Sequence, residues 1–157
     1  MLTKKVAAMK TDKTAPLQGW GIAILRVVTG TIFLLRGGQK LFVDGPGFAA
    51  GFFGPQLGIP MPLAIAVVVG LLELLCGSAL VLGLFTRLVS LPLALGMSVD
   101  VLLVHLPNGF FVYNDGYEYA LMRLAATVLL VLAGPGKVAL DNTLAPRKRP
   151  RFSRLLR

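Results

Sequence analysis

Trp20 to Leu41, Pro62 to Leu84, Leu88 to His105 and Tyr117 to Ala133 are apolar runs. Each has the roughly 17 to 25 residues that a helix needs to cross a bilayer. The charges outside them are segregated. Lys4, Lys5, Lys10 and Lys13 precede the first run, Arg87 sits between the second and third, and Lys137, Arg147, Lys148, Arg149, Arg151, Arg154 and Arg157 follow the fourth. The other connections, 42–61 and 106–116, carry no Lys or Arg, with Lys40 alone at their edge. Short loops rich in Lys and Arg stay cytoplasmic. The expected fold is therefore all-α, a four-helix transmembrane bundle over 19–136, multi-pass in the cell inner membrane. Both termini, the basic tails 1–18 and 137–157, are expected in the cytoplasm.

In 157 residues, 55% are hydrophobic and 15% charged, a balance that a soluble domain of this size could not hide from water. The net charge of +9 sits mostly in the tails that flank the apolar runs. It points to anionic lipid headgroups and not to nucleic acid. The first run is too long for a signal peptide and contains Arg26, so it is expected to be retained. One cysteine, Cys76, excludes an internal disulfide or dithiol pair, and one histidine, His105, excludes two-histidine haem ligation within one copy. No metal site is expected: Met97 and Asp100 lie one turn apart, but His105 follows too far on to share their face of a helix.

Along the chain, Trp20 stands where an interfacial anchor belongs, and Gly30, Gly37 and Gly38 allow a neighbouring helix to approach closely. The segment after Phe42 is expected to form a short interfacial helix over Phe48 to Phe53, with Phe48 and Phe52 on one face, capping the outer end. Gly70, Glu73 and Gly77 share a stripe on the second span, which turns Glu73 toward neighbouring helices. A turn of about four residues around Arg87 makes the second and third spans antiparallel neighbours. Tyr117 and Tyr119 fit an outer aromatic belt, Gly134-Pro135-Gly136 ends the last helix, and the tail beyond Asp141 is expected to be mobile.

Seven ionisable residues break the apolar pattern: Arg26, Arg36, Glu73, Asp100, His105, Glu118 and Arg123. An Arg or Asp at mid-membrane costs about 2.5 to 3.5 kcal/mol on insertion scales. Counted from the cytoplasmic ends at ~1.5 Å per residue, Arg26 lies at ~9 Å, Arg123, Glu73 and Asp100 at ~15 to 18 Å, and Arg36, Glu118 and His105 at ~23 to 26 Å. Two layers follow. The middle one is an intramembrane charge network of Glu73, Asp100 and Arg123, with Arg26 reaching up from below. The upper one holds Arg36, His105 and Glu118, with Lys40, Asp44 and Asp115 at its rim. Pairing within each layer would fix helix register. A sharper reading makes the upper layer a pocket for an anionic or quinone-like molecule. In it Arg36 and His105 are donors, Lys40 stands at the edge and Glu118 orients them. A proton path through Glu73, Asp100 and His105 is the third reading.

The set Leu25-Arg26 with Gly30, Gly37-x-Gln39-Lys40-Leu41-Phe42, Leu57-Gly58-Ile59-Pro60, and Glu73 followed by Gly77 and Gly83-Leu84-Phe85-Thr86-Arg87 has a recognisable order. So does its continuation in His105-x-Pro107-Asn108-Gly109-Phe110-Phe111, Gly116-Tyr117-Glu118-Tyr119 and Gly134-Pro135-Gly136. Over about Ile24 to Asp141 the chain resembles the DoxX family of small four-helix membrane proteins. Similar members often carry a histidine where Arg36 stands and an apolar residue where Arg123 stands. A guanidinium at position 36 stays charged and cannot shuttle protons as an imidazole can. The resemblance implies a membrane subunit of an oxidoreductase complex, associated with thiosulfate oxidation coupled to quinone reduction or with oxidative-stress complexes. It carries over no catalytic residues.

The function expected is thus a membrane subunit that docks a soluble or membrane redox protein, with a quinone as the one cofactor suggested and a second copy of the chain as a further partner. The alternatives are a small-molecule or proton-coupled transporter working through Glu73 and Asp100, and a structural anchor for partner proteins.

Overall fold

A computed structural model describes residues 15–58 and 60–144, and every regular element among them is helical. The tail residues Lys4 to Lys13 and Arg147 to Arg157, Ile59, and the side chain of Phe52 lie outside what is described. Helix α1 (Ala15–Gly38) runs on without a break into a π-helical turn, Gln39–Val43. A short helix, α2 (Pro46–Leu57), follows, opened by a proline whose missing N–H would have had no partner in the first turn. Helix α3 (Pro62–Leu82) starts in the same way and stops at Gly83, whose φ of +71° suits a residue without a Cβ. Helix α4 (Thr86–Val99) continues as a π-helical stretch, Asp100–His105, and a 3₁₀ turn, Leu106–Asn108. Helix α5 (Glu118–Ala133) and the short α6 (Asp141–Leu144) are the last helices among the described residues.

Three continuous helical stretches, Leu17–Val43, Pro62–Leu82 and Thr86–Asn108, are long and apolar enough to cross a membrane. Helix α5 has 16 residues and rises ~24 Å, short of the ~30 Å hydrocarbon core. Leu35, Val68, Leu75, Leu95, Leu102 and Leu132 are exposed, as lipid-facing side chains are. Several serine and threonine hydroxyls on these helices are satisfied by the preceding turn, as in Ser78 to Leu74 O (2.7 Å), Ser90 to Thr86 O (2.7 Å) and Thr127 to Arg123 O (3.0 Å).

The tightest pairing is α1 against α3. A Cβ on Gly30 would meet Val81 N at 2.8 Å and Gly77 O at 2.9 Å, and one on Gly77 would meet Gly30 O at 2.8 Å and the amide of Leu34. Gly37 abuts Gly70 O and Leu74 N in the same way. In lipid, where packing drives helix association, only glycine allows this approach. Phe33, Leu80, Leu93, Met97 and Leu130 then close a small core between α1, α3, α4 and α5, with Cys76 packed beside it. The short helix expected after Phe42 is present as α2, packs on α3, and leaves Phe48 exposed.

The segment after α5, read from sequence as tail from Lys137 onward, folds back over one end of the bundle as far as Leu144. Lys137 N donates to Gly19 O (2.9 Å) and Asp141 N to Gly83 O (2.9 Å). The Asp141 carboxylate accepts from Phe85 N (2.6 Å) and Thr86 N (2.8 Å), capping α4 from a distant part of the chain. Phe85 and Val138 hold positive φ values of 48° and 53°, so this clasp keeps two non-glycine residues in a conformation that costs energy.

Candidate functional site

Two windings out of α-helical register create the site. In an α-helix residues five apart sit well off a common face, which is why the sequence sets His105 off the helix face that Met97 and Asp100 share. The π-helical stretch Asp100–His105 widens the turn and brings His105 Nε2 to 3.6 Å from Asp100 Oδ2. Arg123 Nη2, from α5, donates to the same oxygen at 3.2 Å. The second π-helical turn, Gln39–Val43, carries Lys40, whose Nζ donates to Glu73 Oε1 at 2.8 Å. Sequence periodicity gives no sign of either winding, since the bounding residues remain compatible with α-helix.

Beside these pairs stands Tyr119. The Arg123 guanidinium carbon lies 4.7 Å from its ring centroid and that of Arg36 lies 5.6 Å away. Arg123 is also within electrostatic reach of Arg36, Asp100 and Glu73. The chain of contacts is therefore Arg36, Tyr119, Arg123, Asp100, His105, with the Lys40–Glu73 pair close by. Arg123 and Glu73 are buried, and among the described residues Arg123 Nε and Glu73 Oε2 have no partner. Arg36 is exposed, and among the described residues no carboxylate pairs with it.

Several expected pairings change. Asp100 and Arg123 do meet, but Glu73 is joined by Lys40, assigned above to the upper rim, so the two layers merge into one cluster. The long Lys40 side chain spans the difference in depth. Arg26 does not reach up to Glu73. It is 2% exposed, and its Nη2 donates to Val138 O at 2.8 Å, toward the folded-back segment and Asp141. Counting depth along spans alone omits a chain segment that returns over the helix ends, and that segment supplies the nearer acceptor. Gly83 leaves room for the guanidinium, since a Cβ there would collide with Arg26 Nη1.

Glu118 does not pair with Arg36. Its Oε2 accepts from Val112 N at 3.2 Å and its own N–H donates to Phe110 O at 2.9 Å, which ties the connection 109–118 into a compact knot. That knot presents Asp115 O to His105 Nδ1 at 2.6 Å, with Asn108 Nδ2 on the same carbonyl at 3.4 Å. Glu118 thus acts on His105 at one remove, through the loop. A carbonyl oxygen only accepts, so Nδ1 carries the proton and Nε2 of a neutral ring faces the Asp100 carboxylate with its lone pair.

Sequence reasoning placed Tyr119 in an aromatic belt and did not connect it with the arginines. Its i, i+4 spacing from Arg123 was the available signal. It also gave Asp141 and Val138 no part in holding Arg26. The paired acids and bases can fix an anion or a polar ring between helices, and among the described residues no group of three or more His, Cys, Asp and Glu side chains could hold a metal ion.

The family model described as DoxX matches residues 21–106. A membrane protein of Mycobacterium tuberculosis described as uncharacterized is 31% identical over 136 residues, covering 80% of this chain and 82% of its own. A Haemophilus influenzae protein, also described as uncharacterized, is 35% identical over 77% of this chain and 88% of its own. The Bacillus subtilis protein named "Putative oxidoreductase CatD" is 34% identical over 77% of this chain and 84% of its own. No solved structure matches. The match to the family model, together with these relatives, shows that the chain is a membrane protein of the DoxX family.

Proposed function

We infer that this chain is a membrane subunit serving a redox partner, and that the Arg36–Tyr119–Arg123–Asp100–His105 cluster holds the partner's small ligand, a quinone-like molecule among the candidates. Four crossings of the inner membrane, with α5 as the fourth and both termini cytoplasmic, complete the reading. The distribution of Lys and Arg supports that orientation, and the short α5 can cross where the bilayer thins locally. The name of the Bacillus subtilis relative supports the redox assignment.

The observation that carries the reading is the cluster's incomplete pairing. Among the described residues Arg36 has no carboxylate and the buried Arg123 Nε no acceptor, so donors of this cluster stay free for a ligand. Hydrogen-bond donors left open beside an aromatic ring suit a ligand with a flat body and carbonyl oxygens. Titration of a short-chain quinone into the full-length protein in nanodiscs tests this. Arg36→Ala and His105→Ala should each weaken binding by about tenfold, the loss of one charge-assisted or neutral hydrogen bond, while the helical circular dichroism is unchanged. Equal affinity in all three proteins would remove the quinone assignment.

A further inference from the structure

We propose that the cluster binds an oxyanion together with a proton, the anion between Arg36 and Arg123 against Tyr119 and the proton on His105 Nε2. This rests on the cluster being a ligand site, but not on the ligand being a quinone.

The charge balance points to the anion. Three basic side chains, Arg36, Lys40 and Arg123, face two carboxylates, Glu73 and Asp100. Lys40 is matched to Glu73 and Arg123 to Asp100, which leaves the surplus on Arg36. Two guanidiniums gathered at one tyrosine ring repel each other, and the buried one, Arg123, is little screened by water. An oxyanion between them would remove that repulsion and give the Arg123 Nε, buried without a partner, an acceptor. Carboxylate, sulfate and phosphate share the needed geometry, whether the group is free in solution or belongs to an anionic lipid headgroup.

The proton follows from the geometry of His105. Nδ1 is committed to Asp115 O, so Nε2 is the atom that gains or loses the proton. It faces Asp100 Oδ2, which it shares with Arg123 from α5; Asp115 and Glu118 are the other acidic residues nearby, in the outer loop and at the start of α5. With the proton in place, Nε2–H donates to Asp100 and competes with Arg123 for that oxygen, so that more of the Arg123 guanidinium turns to the anion. A bound anion in turn favours the added positive charge. Anion and proton therefore bind cooperatively, as linkage requires.

Calorimetric titration of inorganic sulfate into the full-length protein tests the pair, in phosphatidylcholine nanodiscs from about pH 8 to about pH 5, the range in which histidine changes charge. A parallel arm uses nanodiscs containing phosphatidylglycerol and counts retained lipid by native mass spectrometry. Sulfate affinity should rise toward acid by up to about tenfold per pH unit and fall about tenfold or more in Arg36→Ala. His105→Gln should bind with no such pH dependence. If sulfate does not bind but phosphatidylglycerol is retained with the same dependence on Arg36 and pH, the oxyanion is a lipid headgroup and the proposal stands. Binding of neither, binding indifferent to Arg36→Ala, or a pH dependence that survives in His105→Gln would overturn it. Circular dichroism of each variant reads its folding, and Arg36→Gln repeats the first comparison with a longer side chain. Quinone binding lost with sulfate binding intact would remove the quinone reading alone; the reverse would remove only this one.

Discussion

Lys40 and Glu73 set the terms on which a charge is kept in this bundle. The Glu73 side chain is 4% exposed and that of Lys40 28%, so the carboxylate depends on the ammonium more than the reverse. Lys40→Met would leave a buried anion unpaired and should destabilise the protein by about 3 kcal/mol, the low end for a buried pair broken on one side because the lysine head is partly exposed. Adding Glu73→Gln should recover most of that loss. Thermal unfolding in detergent reads both; a Lys40→Met protein as stable as the wild type would mean that the pair holds nothing. At this scale the sequence displayed which residues were exceptional, because charges stand out in apolar runs. It did not display their partners. Depth alone sets Arg26 reaching up to the layer of Glu73, Asp100 and Arg123, but a lysine reaches several ångströms along a helix axis to Glu73, and Arg26 finds its acceptor in a returning segment that no span count includes.

Among the elements, the glycine contacts between α1 and α3 bear the packing. Gly77→Val should cost at least about 3 kcal/mol, the upper end of overpacking, because the obstacle is the backbone of α1 at Gly30 and Leu34 and not a side chain that can turn aside. Gly96→Ala on α4, with nothing within 4 Å of the added carbon, should be neutral or slightly stabilising. Unfolding midpoints of the two variants that fell together would contradict the close approach. The glycine positions were legible because small residues at helical spacing have few other uses in lipid. The π-helical turns were not: a single widened turn leaves the apolar pattern almost intact, yet it moves His105 onto the Asp100 side of α4 and is the reason the site exists.

Over its described residues the molecule is an all-helical bundle, and the orientation proposed for it rests on charge. Single cysteines placed in the N-terminal tail at Thr11 and in the C-terminal tail at Ser153, in a Cys76→Ala background, should be labelled only from the cytoplasmic side, and one at Asn114 only from the outside. Tail cysteines labelled from opposite sides would reduce the crossings from four to an odd number, most simply by removing α5 from the membrane. The central claim concerns the open end of the charge cluster, and it is tested most directly by native mass spectrometry of the full-length protein taken from its own membrane, wild type beside Arg36→Ala. The account predicts a bound small molecule on the wild type that is absent from the variant; the same spectrum for both would contradict it.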